Sequence, residues 1–350
     1  MRSQHEVPVD QVVEREGVAK AIGIKHVASV LYTYRCTISC KHCLFNCSPD
    51  QPPVRTSHED GLDFLEQLRA TDRVVHIAGG EAMIYYDDLI ALWSEANEGG
   101  IAPHFFETNA SWCTDDEIAM ARYRELKESG AKGVLISCDP YHLAHVKIDS
   151  FLRARKYAVK EFGRENVITS YATPEELERV RAVGKSEELL AEHVRNGPPN
   201  LVGRAGAELS RYLPDRPIEE LRYDGLWHPA DITDGTCISE FDPNEMWEIH
   251  IDPYGNVQTC CGILVGNARQ SSLEEMMGSG FAGNEIVRIV RERGPFGLLD
   301  LATGLGYEAR KGYPQKCNLC WEVRKYLRPH FPDILGPDEI YGPLTEMEGG

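Results

Sequence analysis

From His26 to about residue 206, short apolar runs alternate with segments of helical period. "HVASVLYTY" is rich in β-branched and aromatic residues and reads as a first strand. After a cysteine-rich loop, "SHEDGLDFLEQLRA" opens with the N-cap candidate Ser57 and acidic residues in its first turn, which predicts a helix. The rhythm then repeats. "RVVHIAGGE", "APHFFETNA", "GVLISCD" and "NVITSYA" read as strands two to five. Helices are predicted after them around "DDLIALWSEAN", "TDDEIAMARYRELKESG" (closed by Gly130), "SFLRARKYAVKEFG" and "TPEELERVRAVGKSEELLAEHV". "NLVGRAG" supplies a sixth strand.

Strands alternating with helices imply βα units and a parallel sheet. About six units fall short of a closed eight-unit barrel, so the expected fold is α/β with a partial (β/α)6 barrel. Function should then sit at the C-terminal ends of the strands. Past residue 235 the rhythm changes: "EMWEIHIDPYGNVQTCCGILVGN" reads as a β-hairpin turning at "DPYG", and "KCNLCWEVRKYLRPHF" as a CxxC opening a helix. The expected organisation is an N-terminal extension (1–26), the partial barrel (27–235), a small α+β module with hairpin and helix (236–330) and a C-terminal tail (331–350).

Composition narrows the chemistry. Hydrophobic content of 42% and charged content of 26% are ordinary for a globular chain. A net charge of −18 argues against a duplex nucleic-acid partner or an anionic membrane surface. No leader-like apolar run or membrane-length segment is read, so the cytoplasm is the expected compartment. Thiols stay reduced there, and the 11 cysteines point to metal or catalysis rather than disulfides. They cluster at 36–47, 237–261 and 317–320, with Cys113 and Cys138 apart.

Cys36-x3-Cys40-x2-Cys43 places three thiols in one short loop after strand one. Three thiolates hold three irons of a [4Fe–4S] cubane and leave the fourth iron open to a ligand. Zinc favours paired CxxC or Cys/His sets, and a ferredoxin run would begin C-x2-C. Cys47 then reads as a buried free thiol. The second set is Cys237, Cys260 in Gly255-x4-Cys260, and Cys317-x2-Cys320, with Cys261 as a competing ligand beside Cys260. Four thiolates suit a structural zinc or a fully ligated cluster, and the ligand set alone leaves both open.

The CxxxCxxC loop after strand one, together with "GGEA" (Gly79 to Ala82) after strand two, resembles the radical S-adenosylmethionine (SAM) superfamily over roughly residues 27–210. The Cys … Gly-x4-Cys … CxxC order resembles the twitch module of that superfamily, a truncated SPASM module. The resemblance implies two [4Fe–4S] clusters, one on Cys36, Cys40 and Cys43 and one on Cys237, Cys260, Cys317 and Cys320. It implies SAM held by Gly79, Gly80 and Glu81, with Asn109, Ser137, Asp139 and Arg204 as further contacts. The activity implied is reductive cleavage of SAM to a 5′-deoxyadenosyl radical that abstracts a substrate hydrogen. Flavodoxin or ferredoxin is the expected electron donor. Only about 26 residues precede strand one, which favours a small polar metabolite (sugar, aminocyclitol or natural-product intermediate) over a short peptide. Oxidation is the leading outcome, with His142, Tyr141 and Glu107 as proton-handling candidates. Cys138 as a hydrogen donor would instead make an epimerase. The reading of another class is an electron carrier or scaffold, iron–sulfur or zinc, with no SAM chemistry.

Overall fold

The computed structural model of the chain describes residues 7–224, 237–244 and 246–344, apart from the side chains of Tyr223 and Ser239. It divides into two compact units, each discontinuous in sequence. The first holds the residues up to Ile38, Ser48–Leu190 and His250–Gly255, and the second holds Ser39–Cys47, Ala191–Ile249 and Asn256 onward.

In the first unit, β1 (Val27–Leu31), β2 (Val74–Ala78), β3 (Phe105–Thr108), β4 (Gly133–Ile136) and β5 (Val167–Ile168) lie in the order β5-β4-β3-β2-β1, every adjacent pair parallel. This is the α/β, partial-barrel arrangement that the alternating pattern predicts. Every residue of β1 and β2 is buried, as apolar runs covered on both faces require. Side chains alternate along β3. Phe106 meets Trp93 and Tyr123 of the covering helices, with ring centres 6.1 and 6.3 Å apart. Phe105 points the other way and stacks on His76 at 4.6 Å, and Glu107, two residues on, shares that inner face.

The helices follow local signals. Ser57 caps His58–Arg69 by accepting from the Asp60 amide, and Phe64, Leu65 and Leu68 form its buried stripe. Each such side chain contributes about 1.5–3 kcal/mol on burial. Asp115 caps Asp116–Glu128 by accepting from the Ile118 amide. The long helix predicted after β5 is two, Pro174–Lys185 and Glu187–Asn196, because Ser186 turns extended and its hydroxyl accepts from the Leu189 amide. Two short helices, Val9–Glu16 and Val18–Ala21, precede β1 where the sequence suggested only an extension.

The expected sixth strand is corrected. "VGRAG" enters a helix, Gly203–Glu208, after Gly203 adopts φ +56°. Its small residues permit close packing rather than pairing: a Cβ on Gly206 would lie 2.7 Å from Trp321. In the second unit, β6 (Arg216–Pro217) pairs antiparallel with β10 (Gly312–Tyr313). The segment β7 (Glu248–Ile251) leads into the turn Asp252–Gly255, closed by a 2.9 Å bond from the Gly255 amide to the Asp252 carbonyl. The second apolar run of the predicted hairpin is itself two strands, β8 (Asn256–Cys260) and β9 (Ile263–Asn267), antiparallel about Gly262 at φ +83°. Helix Lys316–Leu327 carries the CxxC motif, as predicted. The tail is more than coil: Tyr341 stacks on Trp321 and donates to the Gly262 carbonyl. No described helix is long and apolar enough to cross a membrane.

Candidate functional site

The end of β2 is built around close backbone contact. Gly79 takes φ +129°, and a Cβ there would sit 2.6 Å from the Thr33 carbonyl oxygen. A Cβ on Gly80 would collide with the Arg35 carbonyl. The Gly80 and Glu81 amides donate to the Thr33 and Arg35 carbonyls at 2.7 and 3.0 Å. The glycines are therefore required by the approach of strand-one backbone, which sets the start of the cysteine loop.

Glu81 is 1% exposed. Its carboxylate accepts from the Thr108 hydroxyl (3.0 Å), the Asn109 amide (2.8 Å) and the Met83 amide (3.3 Å). These bonds tie the Glu81 carboxylate, at the end of β2, to the end of β3. Burial outweighs those donors and raises its pKa to about 7. Asn109, also buried, uses its side chain within the loop: Nδ2 donates to the Thr37 hydroxyl at 3.0 Å and approaches the Cys36 sulfur at 3.5 Å. Thr108 and Thr37, which complete this network, carry no signal in the sequence beyond their neighbours.

Cys40 and Cys43 lie in the second unit. There the Cys47 amide donates to the Cys43 sulfur at 3.3 Å. Hydrogen bonding from Cys47, aided by the charges of Arg204 and His42, brings the Cys43 thiol down to about 6 against the opposing effect of burial. Arg204, which the resemblance implies as a SAM contact, lies against the same loop. Its guanidinium donates to the carbonyls of Cys40 (2.9 Å), Asn46 (3.0 Å) and Cys47 (2.9 Å), and its amide to that of Cys43 (3.0 Å). One side chain thus clamps the loop. Gly203 beside it admits no side chain, because a Cβ would collide with the Leu44 carbonyl. Gly203→Ala is expected to lower stability by about 2–4 kcal/mol and to reduce the iron retained after reconstitution, as urea titration and iron assay would show. Unchanged values for both would remove the clamp.

At the end of β4, Asp139 caps the turn Pro140–Leu143, accepting from the amides of Tyr141 and His142, and its second oxygen meets His142 Nδ1 at 2.8 Å. This pair fixes the orientation of the imidazole. Tyr141 is buried beside it. The Ser137 amide is committed to the Thr108 carbonyl at 2.9 Å. The Cys138 thiol is 2% exposed and lies 3.1 Å from the Thr169 hydroxyl, which donates onward to the Tyr171 carbonyl. With its own proton so committed, the Thr169 hydroxyl accepts a hydrogen bond from the thiol. Glu107 lies 3.4 Å from His76, and Ser29 bonds the buried His250 at 2.7 Å. Burial works against Glu107 ionising, but the hydrogen bond and charge of His76, with the charges of His250 and His142, hold its carboxyl below the ordinary range. The histidines His76 and His250 carried no motif in the sequence.

The other cysteine set lies wholly in the second unit. Burial pushes the thiols of Cys237, Cys260, Cys317 and Cys320 up, so without a metal they hold their protons. The thiols of Cys237 and Cys317 both feel the charge of Cys260. Cys261 uses its carbonyl to hold Arg324 at 2.7 Å. Arg324 is fully buried, and its Nε and Nη2 meet no acceptor among the described residues. A buried guanidinium of this kind fits an anionic centre beside it.

No protein-family profile and no curated protein matches the chain. The solved structures it is similar to include proteins crystallised with S-adenosylmethionine. One is BtrN in complex with AdoMet and 2-DOIA, with 14% identity over 77% of this chain and 88% of that one, at a TM-score of 0.44. Others are Streptococcus suis SuiB bound to S-adenosylmethionine (14%, 83% and 76%, TM-score 0.35) and native anSMEcpe with bound AdoMet (12%, 88% and 98%, TM-score 0.38).

Proposed function

We propose that this chain is a radical SAM enzyme that oxidises a small polar metabolite. The observation that carries the reading is the CxxxCxxC loop whose sulfurs are supplied with hydrogen-bond donors, Cys36 by Asn109 and Cys43 by the Cys47 amide. Such donors favour thiolates, the form that binds iron. Cys36, Cys40 and Cys43 would hold a [4Fe–4S] centre there, which would supply the electron for reductive cleavage of SAM and so the 5′-deoxyadenosyl radical for hydrogen abstraction.

The chain's own residues supply the rest. Arg204 and the Gly79–Glu81 turn hold the loop in shape, and Asp139 orients His142. Oxidising an alcohol carbon removes a hydrogen atom, a proton and an electron. Glu107, anionic and within 3.4 Å of His76, is the proton acceptor in this reading, and the Cys237, Cys260, Cys317 and Cys320 module is the electron acceptor. The burial of Cys138 and its bond to Thr169 support oxidation over epimerisation, which requires a thiol presented to the substrate radical. Cys138→Ala is accordingly expected to retain turnover within about twofold, far less than loss of a catalytic group would cost. A variant that still cleaves SAM but forms no product would instead establish the epimerase.

The decisive experiment is anaerobic reconstitution with iron and sulfide, followed by dithionite and SAM. Release of 5′-deoxyadenosine and about eight irons per chain are expected. A cluster-replete protein that releases none would leave the electron carrier or scaffold as the reading.

A further inference from the structure

Helix Lys316–Leu327 reads Lys316-Cys317-x2-Cys320-x3-Arg324, which sets Lys316, Cys320 and Arg324 at four-residue intervals on one face. Both cations are 0% exposed. Arg324 has one hydrogen-bond acceptor, the Cys261 carbonyl at 2.7 Å, while its Nε and Nη2 are buried without one among the described residues. The Thr259 hydroxyl and the Trp321 indole N–H, each adjacent in sequence to a cysteine of the set, are likewise buried without a partner. A desolvated cation with donors left over is strongly unfavourable unless an anion lies beside it. The groups that bear on Arg324 are Tyr341 and the thiols of Cys320, Cys260 and Cys261, and Lys316 acts on Cys237 and Cys317 from the other end of the motif.

Building on the reading that this module holds an iron–sulfur cluster, we propose that Arg324 is a positioning residue that sets the reduction potential of that centre and keeps it electron-accepting. Each electron taken up adds one unit of negative charge to a site already ligated by four thiolates. A fixed, dehydrated cation stabilises the reduced form more than the oxidised one, and donors directed at sulfur act in the same sense. The rival is a bracket that merely holds the Cys261 carbonyl. The two separate cleanly. Glutamine keeps an N–H for that carbonyl but has no charge, whereas lysine keeps the charge.

The test uses the full chain with Cys36, Cys40 and Cys43 replaced by alanine, so that only the second set binds iron. Iron, sulfide and zinc are counted, and the centre is titrated potentiometrically with electron paramagnetic resonance as the signal. Arg324→Gln is expected to raise the oxidised-to-reduced ratio at a fixed solution potential by at least about tenfold, equivalent to 59 mV for one electron. Arg324→Lys is expected to lie between it and the parent. Loss of iron from an Arg324→Gln chain that keeps its helical circular dichroism supports the coupling equally. A glutamine variant that holds the same iron at the same potential overturns the proposal and leaves the cluster intact. Zinc without iron in the parent overturns the iron–sulfur reading itself, and the proposal with it.

Discussion

Replacing Cys36, Cys40 and Cys43 together by alanine is expected to cut 5′-deoxyadenosine release by on the order of 1,000-fold or more, because on the proposed reading these thiols hold the group that supplies the chemistry. Iron should fall from about eight to about four per chain, since the second set does not share these ligands. Cys47→Ala is the matched control. It removes the thiol that hydrogen-bonds Cys43 but leaves in place the backbone amide that donates to the Cys43 sulfur at 3.3 Å. It should therefore keep most of its iron and its cleavage activity. Equal losses in both variants would mean that four thiols share the first site, leaving no open iron for a sulfonium ligand.

The second large effect is on stability. Glu81→Ala removes the acceptor for Thr108, Asn109 and Met83 donors in a site that is 1% exposed, and stranded buried donors of this kind cost about 3–5 kcal/mol together. Because Asn109 also approaches the Cys36 sulfur, iron retention should fall alongside. The pH dependence has a definite sign. A carboxyl raised from its ordinary value near 4.5 to about 7 binds its proton more tightly folded than unfolded. Its contribution is therefore complete below pH 4.5 and is lost as pH rises through 7, by up to about 3 kcal/mol. Glu81→Gln, neutral at every pH, should abolish that slope in urea unfolding at constant m. Stability that rises over the same window, unaltered by the glutamine, would show that the carboxyl is not strained by burial.

What the sequence made legible follows from the range of the forces involved. Strands β1 to β5, the Ser57 cap and the CxxC helix are written in local period and local hydrogen-bond chemistry, so they could be read one segment at a time. Cys36, Cys40 and Cys43 were legible because their spacing lies within eight positions of one loop. "NLVGRAG" misled because its composition fits a strand, while its conformation is dictated by Leu44 and Trp321, far away in the chain. The sequence carries no signal for the contacts that Arg204 and Glu81 make within the protein, because the carbonyls and amides concerned become neighbours only on folding. Arg324 left a trace, four residues past Cys320, but a charged residue on a helix normally faces water, and only the fold shows this one buried.

The turn His250–Gly255 belongs to the first unit although its neighbours in sequence on both sides belong to the second. It brings the His250 imidazole to Ser29 and the Asp252 carboxylate, 0% exposed, to the Tyr34 hydroxyl at 3.0 Å. A fragment ending near residue 235 would therefore remove these partners of the Ser29 and Tyr34 hydroxyls. The first unit is therefore not a cassette, and grafting a different C-terminal module onto it would have to carry these six residues across.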